Sequence, residues 1–404
     1  MPAYISRILV AMERSQLNNV PGGVRYTEMC RRIIHDIRKG VYPPGSRLPS
    51  KTALMRLFGV SDGPAKRAML ELVREGLAYA VPGRGWYVTE QTDAPAAVPV
   101  RVRGTASAKH LLFITCSVLH EFNAPILRGI LDVAQSRGYR VEVIDTGGSY
   151  RKECAALTRC FAHQPAGVIL NPMHSDCAFP QLVQLQRRRI PVVLLNDRVT
   201  GQNLPFVGVA DFKGTRTATN HLIALGHRRI AFIGIQYPER YSSLSERFAG
   251  YLRALKSAGI RYDPSLALFG DRRVLRNRGL RTSGHYEYRI LKEFLRPPLR
   301  FTAAVAYNDS AALAACYALE EYGLRVPDDV SIIGFDHLRE SQMRRVPLST
   351  IAFDARRLGA AAARMVIELG GGAPVHGIPE RHIPVKLIVG GTTKRLTSEG
   401  GLCS

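Results

Sequence analysis

In the first quarter of the chain apolar residues recur at three- and four-residue spacing. Between Tyr26 and Lys39 they fall at Met29, Ile33 and Ile37 and at Cys30 and Ile34, one face of a helix that Gly40 ends after the basic pair Arg38–Lys39. Beyond the proline-stiffened VYPPGSRLPS, Ser50 can cap a short second helix whose core face is Ala53, Leu54, Leu57 and Phe58. The turn GVS follows, and Ser61 can cap a third helix with Ala65, Ala68, Met69 and Leu72 inward and Gly76 at its end. Lys66, Arg67, Glu71 and Arg74 are left on its other faces. The pattern then becomes extended: LAYAV, the turn PGRG and WYV read as a hairpin.

Residues 90–109, EQTDAPAAVPVRVRGTASAK, hold few large apolar side chains and no period, as an interdomain linker does. From His110 strands and helices alternate. HLLFIT, a helix over Ala124–Ser136, YRVEVI, a helix near Cys154–Phe161, GVILN, a helix near Phe179–Arg188 and PVVLLND form one round. A second begins with a helix over Gly214–Leu225 and continues through RRIAFIG, a helix from Ser245, LALFG, a helix near Tyr286–Leu295, AAVAYND with its helix, and VSIIGFD. Such alternation predicts parallel sheets covered on both faces, most economically as two similar lobes with one cleft between them. The expected layout is an N-terminal extension (1–25), a helix-turn-helix with a wing (26–89), the linker (90–109), a two-lobed α/β domain (110–395) and a C-terminal tail (396–404).

Composition narrows the partners. The chain has 404 residues, more than one core usually serves. Its 56 Lys+Arg against 33 Asp+Glu give a formal charge of +23, which favours a polyanionic partner. The first 109 residues carry 17 Lys/Arg against 8 Asp/Glu, only modestly denser than the rest, so charge alone does not say which part meets nucleic acid. No run of about 18 apolar residues appears, and MPAYISRILVAMERSQ lacks an export signal's apolar core, so a cytoplasmic protein without a membrane partner is expected. The seven cysteines have no CxxC pairing or metal-ligand spacing and read as reduced thiols, with no metal or cofactor implied.

Two short helices around a tight turn, followed by a hairpin, form a winged helix-turn-helix. The hairpin tip sets Arg84 between Gly83 and Gly85, where backbone can approach a phosphate or a minor groove and Arg supplies the charge. Taken in order, GVYPPGSRLPS and FGVSDGPAKRAMLELVREGLAYAVPGRGWYV resemble the winged-helix domain of GntR-family transcription regulators. The resemblance implies a third helix in the major groove, a wing on the adjacent backbone or minor groove, and a dimer on double-stranded operator DNA. By matching position it assigns DNA contacts to Ser61, Gly63, Lys66, Gly83, Arg84 and Gly85, with Arg67 beside them. At Thr52 and Asp62 the family commonly has Arg; an Asp near phosphate costs attraction, although a carboxylate can accept from cytosine N4.

In open α/β sheets ligands bind beyond the carboxyl ends of strands. There the sequence places Asn196, Asp197, Asn308, Asp309 and Asp336, with Arg247 near a helix start. Such a mixture of donors and acceptors suits vicinal hydroxyls, with Phe122, Phe212 or Phe335 as candidate aromatic walls. The plain alternative for each Asn or Asp is a helix cap. The stretches ATNHLIALGHRRIAFIG, SERFAGYLRAL, AYNDSAALAACYALEEYGLRVPDDVSIIGFD and PLSTIAFDARRLGAAAARMVIELGGG are similar to the effector-binding domain of the LacI/GalR repressors, itself like periplasmic sugar-binding proteins. That resemblance gives Arg247, Asn308 and Asp336 the main ligand contacts and Phe122, Asn196 and Asp197 lesser ones. The combined order resembles arabinose-repressor-type regulators: a repressor of sugar-utilisation genes relieved by a sugar-like effector.

Two other classes compete. A transport-type sugar-binding protein requires an export signal. An α/β enzyme requires a phosphate-binding glycine loop or a nucleophile elbow after the first strand, and ITCSVLHEF offers neither; Cys116 and His120 there read more simply as packing than as a dyad.

Overall fold

The computed structural model describes residues 29–396, apart from 31, 38, 44, 63–64, 66–67, 70–71, 73–76, 82–84, 89–108, 119, 176–179, 236–240, 270–283 and 373–376. The chain divides into two compact units between Arg101 and Val102.

In the first unit the helical spacing predicted around Met29, Cys30 and Ile33 is realised: all three are buried, on a core with Leu54, Ala65, Ala68, Met69 and Leu72. Helix α1 (Lys51–Phe58) begins as the sequence indicates, with Ser50 Oγ accepting from the Ala53 amide at 3.1 Å. It ends at Gly59, whose φ of 57° and amide bond to Met55 O close a left-handed cap. One expectation fails here. Ala53 is exposed, and α1 packs through Leu54, with Met55 and Phe58 half-buried against the core. A helix of eight residues has only two turns to present, and one central leucine suffices to anchor it.

Strands β1 (Ala78–Val81) and β2 (Gly85–Val88) pair antiparallel, with Val81 opposite Gly85. A third extended segment joins them. Leu48 N donates to Trp86 O at 2.7 Å and Val88 N to Ser46 O at 2.9 Å, so GSRLPS is a ladder partner of the wing as well as a connection.

The second unit holds two six-stranded sheets. In the first lobe the order is β13-β7-β6-β5-β3-β4, made of β3 (His110–Thr115), β4 (Arg140–Asp145), β5 (Gly167–Leu170), β6 (Val192–Leu195), β7 (Phe206–Val209) and β13 (Glu380–Ile383), all parallel. In the second it is β14-β12-β11-β10-β8-β9, from β8 (Ile230–Ile233), β9 (Ala267–Leu268), β10 (Ala303–Ala306), β11 (Ser331–Asp336), β12 (Ser349–Phe353) and β14 (Val385–Ile388), parallel except for β14. Central strands such as β5, β6 and β10 are buried throughout, which is why their sequences run apolar without alternating.

Helices α2 (Asn123–Ser136), α3 (Tyr150–His163), α4 (Pro180–Arg187) and α10 (Ala355–Gly370) cover the first sheet; α5 (Asp211–Ala224), α6 (Ser242–Ser257), α7 (Gly284–Phe294), α8 (Asp309–Glu321) and the short α9 (Arg339–Gln342) belong to the second. The two-lobe reading holds, but the chain does not finish one lobe before starting the other. It crosses after β7, returns after β12 to lay α10 on the first lobe, and crosses again between β13 and β14. Strand β7 escaped the sequence reading, since FVGV is short and broken by glycine. α10 packs on α2 at a close approach, where a Cβ at Gly129 would lie 1.9 Å from Arg356 O and one at Gly359 2.0 Å from Ile126 O.

Candidate functional sites

In the winged-helix unit, helical backbone is present at Asp62, and Ala65 N bonds Ser61 O at 3.4 Å, so the third helix starts where the sequence places it. Asp62, the acidic departure, is paired with Lys51, and both side chains are partly open to solvent. That pairing offsets part of the charge an unpaired aspartate would present. Thr52 is exposed one residue after Lys51. Gly85 has a φ of 108°, and a Cβ there would meet the Arg47 guanidinium at 3.0 Å, so β2 needs a glycine at its first residue. Arg47, exposed against the wing's base, is a candidate contact that sequence reasoning missed. Gly63, Lys66, Arg67, Gly83 and Arg84 lie outside the described residues.

In the second unit a cleft of about 700 Å³ opens between the lobes at the carboxyl ends of their strands. The first lobe contributes Phe122, Asn123, Asn171, His174, Asn196 and Asp197, the second Tyr241, Arg247, Tyr307, Asn308 and Asp336. All six sequence-chosen ligand residues therefore border one space. The aromatic expectations divide. Phe122 lines the cleft, edge-on to Phe353 at 5.9 Å. Phe335 instead lies behind it, its ring under the Arg247 guanidinium at 3.6 Å. Phe212 is not part of the lining; Arg216 lies over its ring. Tyr241, Tyr307 and His174 supply rings that the sequence did not single out.

Arg247 is the centre of the cluster. On the second turn of α6, 3 % exposed, it donates through Nε to Asp211 Oδ1 at 2.7 Å and through Nη1 to Tyr307 O at 2.5 Å, with Nη2 3.5 Å from Asp336 Oδ1. Three directed bonds and a stacked ring fix the fork. Asp211 escaped sequence reading because it lies just beyond the unread β7. The negative charge exceeds what one arginine neutralises. Burial pushes the Asp336 carboxyl up to about 8, Arg247 opposing and Asp309 and Asp211 adding to the rise. Burial likewise pushes Asp211 up to about 6, Arg247 opposing. Asp211 makes the shorter bond and keeps its charge at lower pH; Asp336 is left as the proton-exchanging member facing the cleft. Its backbone is strained, with φ of 112° at Asp336 and 59° at His337, a pair that holds a side chain at a strand end where L residues rarely sit.

The capping alternative proves true of several residues as well. Asn308 Oδ1 accepts from Ala311 N at 2.8 Å at the start of α8 while the residue lines the cleft. Asp309 is wholly buried, accepting from Thr350, Ser341 and Leu338 N, so it pins β10, β11 and β12 to α9 and does not border the cleft. Gly334 makes room for it; a Cβ there would sit 2.3 Å from Asp309 Oδ1. Asp197 Oδ1 accepts from Ser243 N at 2.8 Å and Ser242 Oγ at 3.1 Å, and burial raises its pKa. Asn196, at φ 64°, gives its amide to Asp197 and leaves a buried Oδ1 without a partner at the cleft wall. An unsatisfied acceptor of this kind calls for a ligand hydroxyl or amine.

Comparison with known proteins follows the same division. The bacterial regulatory proteins of the gntR family match residues 25–88, and the periplasmic binding protein-like domain family matches residues 219–393. An arabinose metabolism transcriptional repressor of Halalkalibacterium halodurans is 28 % identical over 347 residues, 85 % of this chain and 88 % of that protein. The HTH-type transcriptional repressor CytR of Escherichia coli K12 is 29 % identical over 289 residues, covering 72 % of this chain and 80 % of its own. Among solved structures, a LacI family transcriptional regulator from Enterococcus faecium, with bound ribose, superposes with a TM-score of 0.59 at 22 % identity, over 71 % of this chain and all of that one. The chain thus carries a GntR-type domain followed by a periplasmic-binding-protein-like domain, and over most of its length it resembles an arabinose metabolism transcriptional repressor.

Proposed function

We propose that this protein is a ligand-responsive, sequence-specific DNA-binding transcription regulator, a repressor of sugar-utilisation genes whose grip on its operator is released by a sugar or similar polyol. The observation that carries the reading is the fixed Arg247 fork beside Asp336 and Asn308, facing Asn196 across a cleft. Fixed donors and acceptors of both kinds match the mixed hydrogen-bonding of vicinal hydroxyls. The relatives named for arabinose metabolism point to the same ligand class. The cleft reads as a binding site and not a catalytic one: Asp197 and Asp309 are held by amides and hydroxyls, and Arg247 by two carboxylates and a carbonyl.

In this reading residues 26–89 meet DNA, with Ser61, Gly63, Lys66, Arg67, Gly83, Arg84 and Gly85 nearest the duplex and Thr52 and Asp62 modulating it. Residues 110–395 sense the effector and 90–109 transmit between them. Paired heads in a cytoplasmic homodimer imply a pseudopalindromic operator. Effector and DNA are coupled by linkage: a sugar that favours one lobe arrangement shifts DNA affinity only by its differential affinity for the two states.

The test is fluorescence anisotropy of labelled DNA from the gene's upstream region, at two salt concentrations, with and without a panel of neutral sugars, Trp86 in the wing giving an internal signal. Specific, salt-steep binding relieved by one sugar establishes the reading. Binding no tighter than to random DNA refutes it.

A further inference from the structure

Three described helices in the second lobe, α5, α6 and α9, begin without a side-chain cap of their own, and two of them, α6 and α9, take one from the first lobe. The residue before α6 is Tyr241 and the one before α9 is Leu338, and neither side chain caps. In both cases the first lobe supplies the acceptor. At α6, Ser242 N donates to Ser175 Oγ at 2.9 Å and Ser243 N to Asp197 Oδ1 at 2.8 Å, while Arg198 N returns a bond to Ser242 Oγ at 2.8 Å. At α9, Arg339 N donates to Glu121 Oε1 at 2.6 Å, with Glu340 N farther away at 3.5 Å from Oε2. α6 carries Arg247 in its second turn, and α9 follows Asp336 by two residues. The elements that hold the two central cleft residues are therefore each completed across the cleft.

We propose that Glu121 is a positioning residue for the cleft, acting with Asp197 and Ser175 as a two-point latch in which closure of the lobes and capping of α6 and α9 are one event. Glu121 is exposed and is not part of the cleft lining, although it sits between His120 and Phe122, which are. Opening the lobes removes the acceptors from both sets of amides, which must then turn to water. The latch thus biases the equilibrium between open and closed lobes without touching an effector. That the biased equilibrium governs an effector rests on the function proposed above; the latch itself does not.

Hydrogen–deuterium exchange on the ligand-free full-length protein tests it, with no sugar or DNA present. Peptides covering 241–246 and 337–343 report the two contacts. Glu121→Ala is expected to speed exchange about three- to tenfold at Arg339 and also at Ser242 and Ser243, which Glu121 does not touch. Glu121→Gln, which keeps an acceptor oxygen, is expected to restore most of the protection. Ser175→Ala is expected to produce the reciprocal effect, speeding Arg339. Acceleration confined in each variant to the contact it removes shows two independent caps and overturns the latch. No acceleration at either contact overturns it too. Melting temperatures within a degree or two of the parent show that the change is not global unfolding, and the peptide 155–163 of α3, which makes neither contact, serves as an internal reference.

Discussion

Both units set a cation against an aspartate, with opposite consequences. Lys51 and Asp62 meet on the surface of the winged-helix unit, where water screens both. Arg247, Asp211 and Asp336 meet where Arg247 and Asp336 line the cleft and Asp211 lies behind them, none more than 6 % exposed. On the surface a pair adjusts local potential and contributes little to folding. In the cleft the same chemistry fixes geometry, because each charge depends on its partners for the solvation that burial removes. In the function proposed above, the adaptable charges face a polyanion and the immobile ones a small ligand.

The strongest way to break this contrast is Arg247→Ala. It strands two buried carboxyls and is expected to cost about 3–5 kcal/mol of stability, read from denaturant midpoints, and to abolish sugar release of DNA. Arg247→Lys should not rescue release, since an ammonium cannot make the three-way fork. An Arg247→Ala protein as stable as the parent would place this cluster with the surface pairs.

Next comes pH. Asp336, pushed up to about 8 from an ordinary 3.8, Glu153, pushed up to about 7 from 4.5 chiefly by burial, and Asp211, up to about 6, all hold protons in the folded chain that the unfolded chain releases. Their folded values are raised, so their contribution to stability is complete below about pH 4 and is lost as pH climbs through 6, 7 and 8 in turn. Asp336→Asn is expected to flatten the fall in stability between pH 6 and 8, and Glu153→Gln that between pH 4.5 and 7, in urea titrations across the range. A slope unchanged by either substitution removes these groups from the account. At constant pH, Asp336→Asn should also weaken sugar binding while leaving DNA binding intact.

The winged helix should answer differently. Lys66→Ala and Arg84→Ala are each expected to weaken operator binding roughly tenfold and to lower the salt slope by about one, with sugar affinity unaltered. Equal loss of both activities would collapse the distinction between the two units. The smallest effect is expected for Lys51→Ala, at most about 1 kcal/mol by thermal melting. Asp62→Arg sharpens the point: stability should hardly move while DNA affinity rises.

Much of this was legible in the residues. The apolar spacing of Met29, Ala65, Met69 and Leu72 marks a helical core whatever surrounds it, and the cap at Ser50 is a local contact. Ala53 was misplaced because periodicity gives a face and not its width. β7 was missed because four residues containing a glycine carry too little alternation to announce a strand, and Asp211 went with it. Arg47 was missed because its contact with the wing joins residues almost forty positions apart.

What the sequence determined by itself is what short-range physics can enforce: which stretches coil, which extend, where each stops, and that two different units follow one another. Polar residues at strand ends were visible on the same basis. The tertiary structure decided which of them share an environment. Asp309 and Asp336 look alike in sequence, yet one is consumed by Thr350 and Ser341 and the other shares Arg247 at the cleft. Asp197 and Glu121 are ordinary acidic positions until a second lobe brings them unpaired amides. Hydrogen bonding and desolvation depend on distance and burial, and neither exists until the chain has crossed between its sheets and closed around the space it shares.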